Sequence, residues 1–292
     1  MQVHWVEDNL ARVYGELVEA TLRGEELNPR NRPNTEIRPV LLQTSTRWPC
    51  LHARDVNYRF ALAELIATVC GWDDTAWLTP FVPNVQQFSE DGFWLRGAYG
   101  RRLIFPVDQL RLALDHLEVD PDSRQCVLQI WNSAADTVTA DVKDRPCNTS
   151  IFVKVRGGNV DFTVFRRSAD AIWGVPYDHY VFAGLLEIFA ALFRATPGRL
   201  FQYIDSLHVY KPEAKFYDEE RIERARNTSR TPANWQSNWI WVREYSLETL
   251  RDEFAHVRRC LESDVVPTRL RYEKPRIWDI YHYLAGGKLP CW

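Results

Sequence analysis

The sequence predicts an α+β protein in which a mixed, mainly antiparallel sheet is covered by helices in one domain spanning residues 1–292. Three observations carry that prediction. Segments with helical spacing are interleaved with short strand-like runs along the whole chain, with no all-helical or all-strand half. A glycine-rich hairpin signal joins two of the strands antiparallel. Although 292 residues could form one large domain or two small ones, no repeat, low-complexity segment or linker divides them, and 46% hydrophobic content supports a sizeable core.

The elements follow in order. Residues 8–22 (DNLARVYGELVEATL) place Leu10, Val13, Leu17 and Ala20 at helical spacing. Residues 25–39 (EELNPRNRPNTEIRP) are polar and rich in Pro and Asn, which predicts a loop carrying Arg30, Arg32 and Arg38. Residues 57–70 (NYRFALAELIATVC) predict a mostly buried helix with one acid, Glu64, and 107–118 (VDQLRLALDHLE) an amphipathic helix. A short strand is expected at 125–131 (QCVLQIW), then two strands within 149–167 (TSIFVKVRGGNVDFTVFRR) joined at Gly157-Gly158-Asn159. Gly174-Val175-Pro176 punctuates a turn before an apolar helix at 178–195. A strand at 199–209 and helices at 246–262 and 276–284 complete the chain.

Composition excludes some functions. The net charge of −3 leaves no basic field for nucleic acid, although 36 Lys and Arg leave room for a local phosphate clamp. Twelve tryptophans against one methionine indicate an aromatic core. The six cysteines (Cys50, Cys70, Cys126, Cys147, Cys260 and Cys291) form no CxxC pair, so no metal site is expected. With no signal-peptide pattern and no run of 18 apolar residues, a cytoplasmic protein with reduced thiols and no membrane contact is expected. One position stands out: Asp178 puts a potential negative charge at the mouth of the most apolar segment, where it costs several kcal/mol unless paired or neutralised. It is either a helix cap or a reader of something.

Four stretches, DPDSRQCVLQIWN (120–132), RPCNTSIFVKV (145–155), FRRSADAIWGVPYDHYVFAGLL (165–186) and DSLHVY (205–210), together resemble the thymidylate synthase family. Its blocks "SRR…WN", "PC", "QRS.D..LG.PFN" and "D.H.Y" recur in order over roughly residues 55–210; the N-terminal loop matches more loosely and the last 80 or so residues poorly. The resemblance implies a thymidylate synthase-like fold and chemistry at a pyrimidine. Pyrimidine C5 is a poor nucleophile, and thiolate addition at C6 turns it into an enamine carbon. That requires a reactive cysteine, cationic groups near it and a phosphate clamp.

By this resemblance Cys147 is the nucleophile, followed by Asn148 where the family usually has His. Arg167 and Ser168 match the phosphate-binding "RS" pair, with Arg167 also favouring the thiolate. Arg124 matches the arginine that crosses a homodimer interface to the partner's phosphate site, while Gln125 replaces that motif's second arginine. Arg30 is the choice for the flexible-loop phosphate arginine, with Arg32 its rival. Glu64 matches a glutamate that orders water and shuttles protons, work suited to a carboxyl raised by apolar neighbours. His208 and Tyr210, on one face of a strand, match the pair that hydrogen-bonds the sugar 3′-hydroxyl. Asp170, Trp173 and Gly174 match folate-pocket positions, and Phe88 falls where the family has a folate-stacking Trp.

Asp178 stands where the family has the Asn that reads uracil. An ionised carboxylate can only accept hydrogen bonds, so it meets uracil O4 with repulsion and suits the N4 amino group of cytosine. Capping and base reading are compatible at this position. The chain is therefore similar to the deoxycytidylate/cytidylate 5-hydroxymethylase branch, with 5,10-methylenetetrahydrofolate as co-substrate and dCMP favoured over CMP. That branch implies addition of Cys147 to C6, attack of C5 on the methylene, departure of folate, and water addition to give the 5-hydroxymethyl nucleotide. Two alternatives stay open: a methylating enzyme, either thymidylate synthase or cytidylate methylase, and a non-catalytic nucleotide- or RNA-binding protein on the same scaffold.

Overall fold

The computed structural model describes residues 4–7, 9–46, 56–137, 142–220, 222–223, 239–263, 265–267 and 274–287. In chain order the elements are β1 (His4–Val6), α1 (Leu10–Leu22), β2 (Glu25–Leu27), β3 (Asn34–Ile37), β4 (Val40–Ser45), α2 (Tyr58–Cys70), α3 (Thr75–Leu78), α4 (Tyr99–Ile104) and α5 (Gln109–Val119). There follow β5 (Val127–Gln129), α6 (Ser133–Asp136), β6 (Asn148–Arg156), β7 (Asn159–Arg166), β8 (Ala169–Asp170), α7 (Gly174–Leu192), β9 (Thr196–Ile204), β10 (Leu207–Tyr210), α8 (Leu247–Glu262) and α9 (Pro275–Leu284).

A six-stranded sheet runs β1-β4-β9-β7-β6-β5, and a four-stranded sheet runs β2-β3-β10-β8. Pairing is mixed: β1/β4 and β7/β9 are parallel, while β4/β9, β6/β7 and β5/β6 are antiparallel. The α+β expectation holds. The β6–β7 hairpin turns on Gly157 and Gly158, both at positive φ (56° and 77°), which a tight two-residue turn requires.

Local chemistry explains the helix ends. The Asn57 side chain accepts from the Phe60 N–H at the start of α2, and Gly71, left-handed at φ 79°, closes it. Asp108 and Ser246 cap α5 and α8 in the same way. The larger core packs α2, α7 and α8 on one face of the six-stranded sheet, with Leu65, Phe162, Phe182, Phe189 and Phe254 fully or almost fully buried. A second core joins α1 to the strands through Leu10, Leu17, Ile37, Leu42, Ile172 and Leu207.

Several expectations need correction. Residues 25–39 are not a loop throughout, because β2 and β3 flank a short 3₁₀ turn at Pro29–Asn31. Their polar sequence suits a small sheet with exposed outer positions. The 199–209 strand is two strands in different sheets, broken at Asp205-Ser206, and β4 was not anticipated. The apolar helix begins at Gly174 rather than 178. Pro176 fits its first turn, where the N–H has no intrahelical partner to lose. Trp173 takes the N-cap position, so Asp178 lies a turn inside α7 and caps nothing. Among the described residues no helix is long and apolar enough to cross a membrane.

Candidate active site

A cavity of about 420 Å³ opens between α2, α4 and the start of α7. Its lining brings together four of the expected residues, Glu64, Phe88, Cys147 and Trp173, with Tyr99, Asp144 and Tyr177. Phe60, Leu78, Val82, Val85 and Leu95 make most of the remaining wall apolar.

Cys147 immediately precedes β6 and is half-buried. Arg167 holds it from behind: Nη2 lies 3.8 Å from Sγ, and the guanidinium also donates to the carbonyls of Pro146 (3.0 Å) and Arg145 (3.1 Å). Burial pushes the Cys147 thiol above its usual value. Arg167 pulls it down and nearby Asp178 opposes that pull. Arg167 thus acts in the expected direction, but desolvation outweighs it.

Glu64 projects from α2 into apolar surroundings. Burial, helped by the negative charges of Asp178 and Asp144, pushes its carboxyl up to about 8. Tyr99 lines the same cavity and bridges two other side chains: its Oη donates to Asp178 Oδ1 (3.0 Å) and accepts from Asn148 Nδ2 (2.6 Å). Gly100 permits that placement, because a Cβ there would sit 2.2 Å from the Ala67 carbonyl oxygen of α2. The other Asp178 oxygen, Oδ2, pairs with Arg166, whose side chain is fully enclosed.

The remaining expected residues sit at different distances from this centre. Ser168 follows Arg167 and is half-buried. Asp170 Oδ1 accepts from the N–H groups of Ile172 (2.7 Å) and Trp173 (3.1 Å), setting the entry to α7. A Cβ added at Gly174 would sit 3.7 Å from both Arg166 Nη2 and Asp170 Cβ, ordinary contact distances. His208 pairs with Asp170 in the β10/β8 register and stacks edge-on to Tyr210 at 4.8 Å. Burial lowers the His208 pKa while Asp170 opposes the change.

Of the two loop arginines, Arg32 reaches this group, lying 4.0 Å over the Tyr210 ring and 4.0 Å from Glu213. Arg30 is exposed in the left-handed conformation, φ 52°. Arg124 is exposed beside β5, with its carbonyl near Lys154 Nζ at 3.5 Å. Neither is brought to the cavity. A second cavity of about 490 Å³ contains no cysteine or histidine in its wall, and its Arg111 is already paired with Asp115 and Glu248. Among the described residues no group of three or more His, Cys, Asp or Glu could hold a metal ion.

Sequence reading missed Tyr99 and Arg166. Tyr99 offers only the weak cue of its Gly97-Ala98-Tyr99-Gly100 setting. Arg166 had a usable signal: adjacent strand residues face opposite sides, so with Arg167 outward Arg166 must point inward, where it needs an acid.

Residues 23–248 match the thymidylate synthase family. The chain is 34% identical over 216 residues to a protein of Bacillus phage SP01 named deoxyuridylate hydroxymethyltransferase, covering 68% of this chain and 56% of that protein. It is 30% identical over 213 residues to the protein of the same name in Pseudomonas phage M6, covering 68% and 60%. It is also 26% identical over 188 residues to the thymidylate synthase of Corynebacterium aurimucosum (strain ATCC 700975 / DSM 44827 / CIP 107346 / CN-1), covering 61% and 69%. The matches thus span less than two thirds of the length of the two phage proteins.

Proposed function

The chain belongs to the thymidylate synthase family, and from that premise we propose that it transfers a one-carbon unit from 5,10-methylenetetrahydrofolate to C5 of a cytidine monophosphate. The product is the 5-hydroxymethyl nucleotide, with dCMP the preferred substrate and CMP the ribose counterpart. The observation that carries this reading is the Cys147 thiol, 3.8 Å from a guanidinium, in the wall of a cavity that also holds Glu64.

The chemistry divides among named side chains. Cys147 adds to C6 and makes C5 nucleophilic. Arg167 favours the thiolate against the burial that opposes it, and with Ser168 it receives the phosphate. Glu64, with its carboxyl near 8, is protonated at neutral pH and can give and recover a proton at the pyrimidine. Asp178 accepts from the cytosine amino group. His208 and Tyr210 take the sugar hydroxyl. The folate supplies the one-carbon electrophile, and the apolar wall with Phe60, Phe88, Trp173 and Tyr177 suits its aromatic ring. Asp170 fixes Trp173 there through its backbone N–H. Phe88 in place of a larger indole leaves room for the water that ends the reaction.

A homodimer accompanies this reading. The register puts Val127, Phe152, Phe165 and Tyr203 on one sheet face, with Phe152–Phe165 and Phe165–Tyr203 rings 5.0 and 5.5 Å apart. Val127 and Tyr203 are exposed, so a second copy would cover an aromatic surface. Arg124, beside this face, would then reach the partner's phosphate site.

A second reading, dUMP as substrate, is favoured by the phage relatives, which are named deoxyuridylate hydroxymethyltransferases. The test is incubation with methylenetetrahydrofolate and dCMP, CMP or dUMP separately, with mass spectrometry of the nucleotide. A hydroxymethyl product from dCMP is expected. Preference for dUMP would overturn the cytosine reading. A methyl product with dihydrofolate would identify a methylating enzyme. Absence of C5 hydrogen exchange with every pyrimidine nucleotide would remove the enzymatic reading.

A further inference from the structure

Asp178 has a partner that the reaction chemistry does not use. Arg166, the last residue of β7, has a side chain with no solvent exposure, and the Asp178 side chain keeps 10%. One guanidinium nitrogen pairs with Asp178 Oδ2, and Nη1 donates to Gln202 Oε1 at 3.1 Å. Gln202 Nε2 in turn meets His179 Nδ1 at 3.3 Å. Burial, reinforced by Arg166, pushes His179 down to about 3, so that ring is neutral. Glu64, near 8, is also uncharged at neutral pH. Asp178 and Arg166 therefore balance one another.

In the family pattern "QRS.D..LG.PFN" the two corresponding positions carry Gln and Asn, both neutral amides. Here both have changed, and the two new side chains touch. A buried carboxylate without its cation, or the cation without its carboxylate, is strongly disfavoured. The pair also has a directional consequence. Oδ2 is held by Arg166 and Oδ1 by the Tyr99 hydroxyl, so the carboxylate is fixed in rotation, and its remaining lone pairs can only accept. An Asn amide could offer a donor by flipping; this group cannot.

We propose that Arg166 is a specificity-determining residue that acts through Asp178: the buried Arg166–Asp178 pair, rather than Asp178 alone, selects the base. This rests on the proposed role of Asp178 as the reader of cytosine. It makes a definite statement about substitution. Changing Asp178 to Asn should not convert the site by itself, because Arg166 is then left enclosed without its anion. Conversion needs both changes.

The experiment compares the wild type, R166Q, D178N, R166Q/D178N and R166K. For each, dCMP and dUMP binding is measured by titration calorimetry, kcat/KM for both nucleotides is measured where turnover occurs, and unfolding is followed by denaturant titration. R166Q should reduce dCMP affinity at least about tenfold and shift the dCMP:dUMP ratio. D178N should lose stability and bind both nucleotides poorly. The double variant should be more stable than D178N and favour dUMP by about tenfold or more, while R166K should recover part of the wild-type ratio. A ratio unchanged within twofold in R166Q, or a D178N protein that is as stable as the double variant and switches base unaided, would overturn the proposal. If the wild type itself prefers dUMP, the cytosine reading fails, but the shift of the ratio in R166Q still decides whether Arg166 governs base choice. R166K keeps the test open should R166Q not fold.

Discussion

At the end of the site proposed to hold the base, Glu64, Tyr99, Asp178 and Arg166 come from α2, α4, α7 and β7 and Cys147 stands just before β6; hydrogen bonds tie Tyr99, Asp178 and Arg166 together, and Arg167 contacts Cys147. The arginines proposed for the phosphate, Arg30, Arg32, Arg124 and Arg167, are all exposed, on a turn, beside an edge strand and just past the end of β7. Enclosure shifts pKa values and fixes orientation, so the base end is ready for chemistry before substrate arrives. Arg167 is held by the carbonyls of Arg145 and Pro146 and Arg32 lies over Tyr210, whereas exposed Arg30 and Arg124 would lose rotamer freedom only on meeting an anion.

The largest effect should come from breaking the enclosed end at its nucleophile. Cys147→Ser is expected to lower hydroxymethyl formation by at least about 10⁴-fold in a single-turnover assay while leaving nucleotide binding detectable. Glu64→Gln comes next, with a loss of about 10²- to 10³-fold in kcat. It has a second readout. Between about 4.5 and about 8 the folded state holds a proton on Glu64 that the unfolded chain lacks, so the wild type loses stability as pH rises through that window. Glu64→Gln removes that slope, and its melting temperature should gain on the wild type between pH 5 and pH 8.

At the boundary between the ends, Arg167→Ala should slow alkylation of Cys147 by iodoacetamide severalfold at pH 8, because the guanidinium that pulls the thiol down is lost while burial still pushes it up. An unchanged rate would mean that Arg167 serves the phosphate alone. The smallest effect concerns the loop. Arg32→Ala should raise the nucleotide KM about fivefold, and Arg30→Ala less than twofold, since only Arg32 stacks on Tyr210. The reverse order would restore Arg30 as the phosphate ligand.

The same contrast explains what the sequence made readable. Cys147, Arg167, Asp170 and His208 lie in short blocks whose spacing depends on one strand or one turn, so a linear pattern captures them. Tyr99 and Glu64 line one cavity because α4 closes on α2 at Gly100, an approach of helices about thirty residues apart. Periodicity placed α1, α2, α5 and the β6–β7 hairpin correctly because each has a local cause: an apolar stripe, a cap or a glycine turn. It missed β4, and it missed the break between β9 and β10, because both depend on which sheet receives the strand. Asp178 shows the rule and its limit together: the odd residue stands out in the sequence, and strand alternation turns Arg166 inward, but only the fold pairs the two.

The β6/β7 register shifts between Asn148 and Ser150, one residue past the nucleophile. Asn148 and Ile151, three apart, therefore both face inward, where an unbroken strand would send them to opposite sides. The extra residue, Thr149, accepts the N–H groups of both Ile130 and Trp131. Excising Thr149 would leave Asn148 and Ile151 two apart, still sharing the inward face on an unbroken strand. What the deletion removes is the carbonyl that ties Ile130 and Trp131 to the strand beginning just past the cysteine.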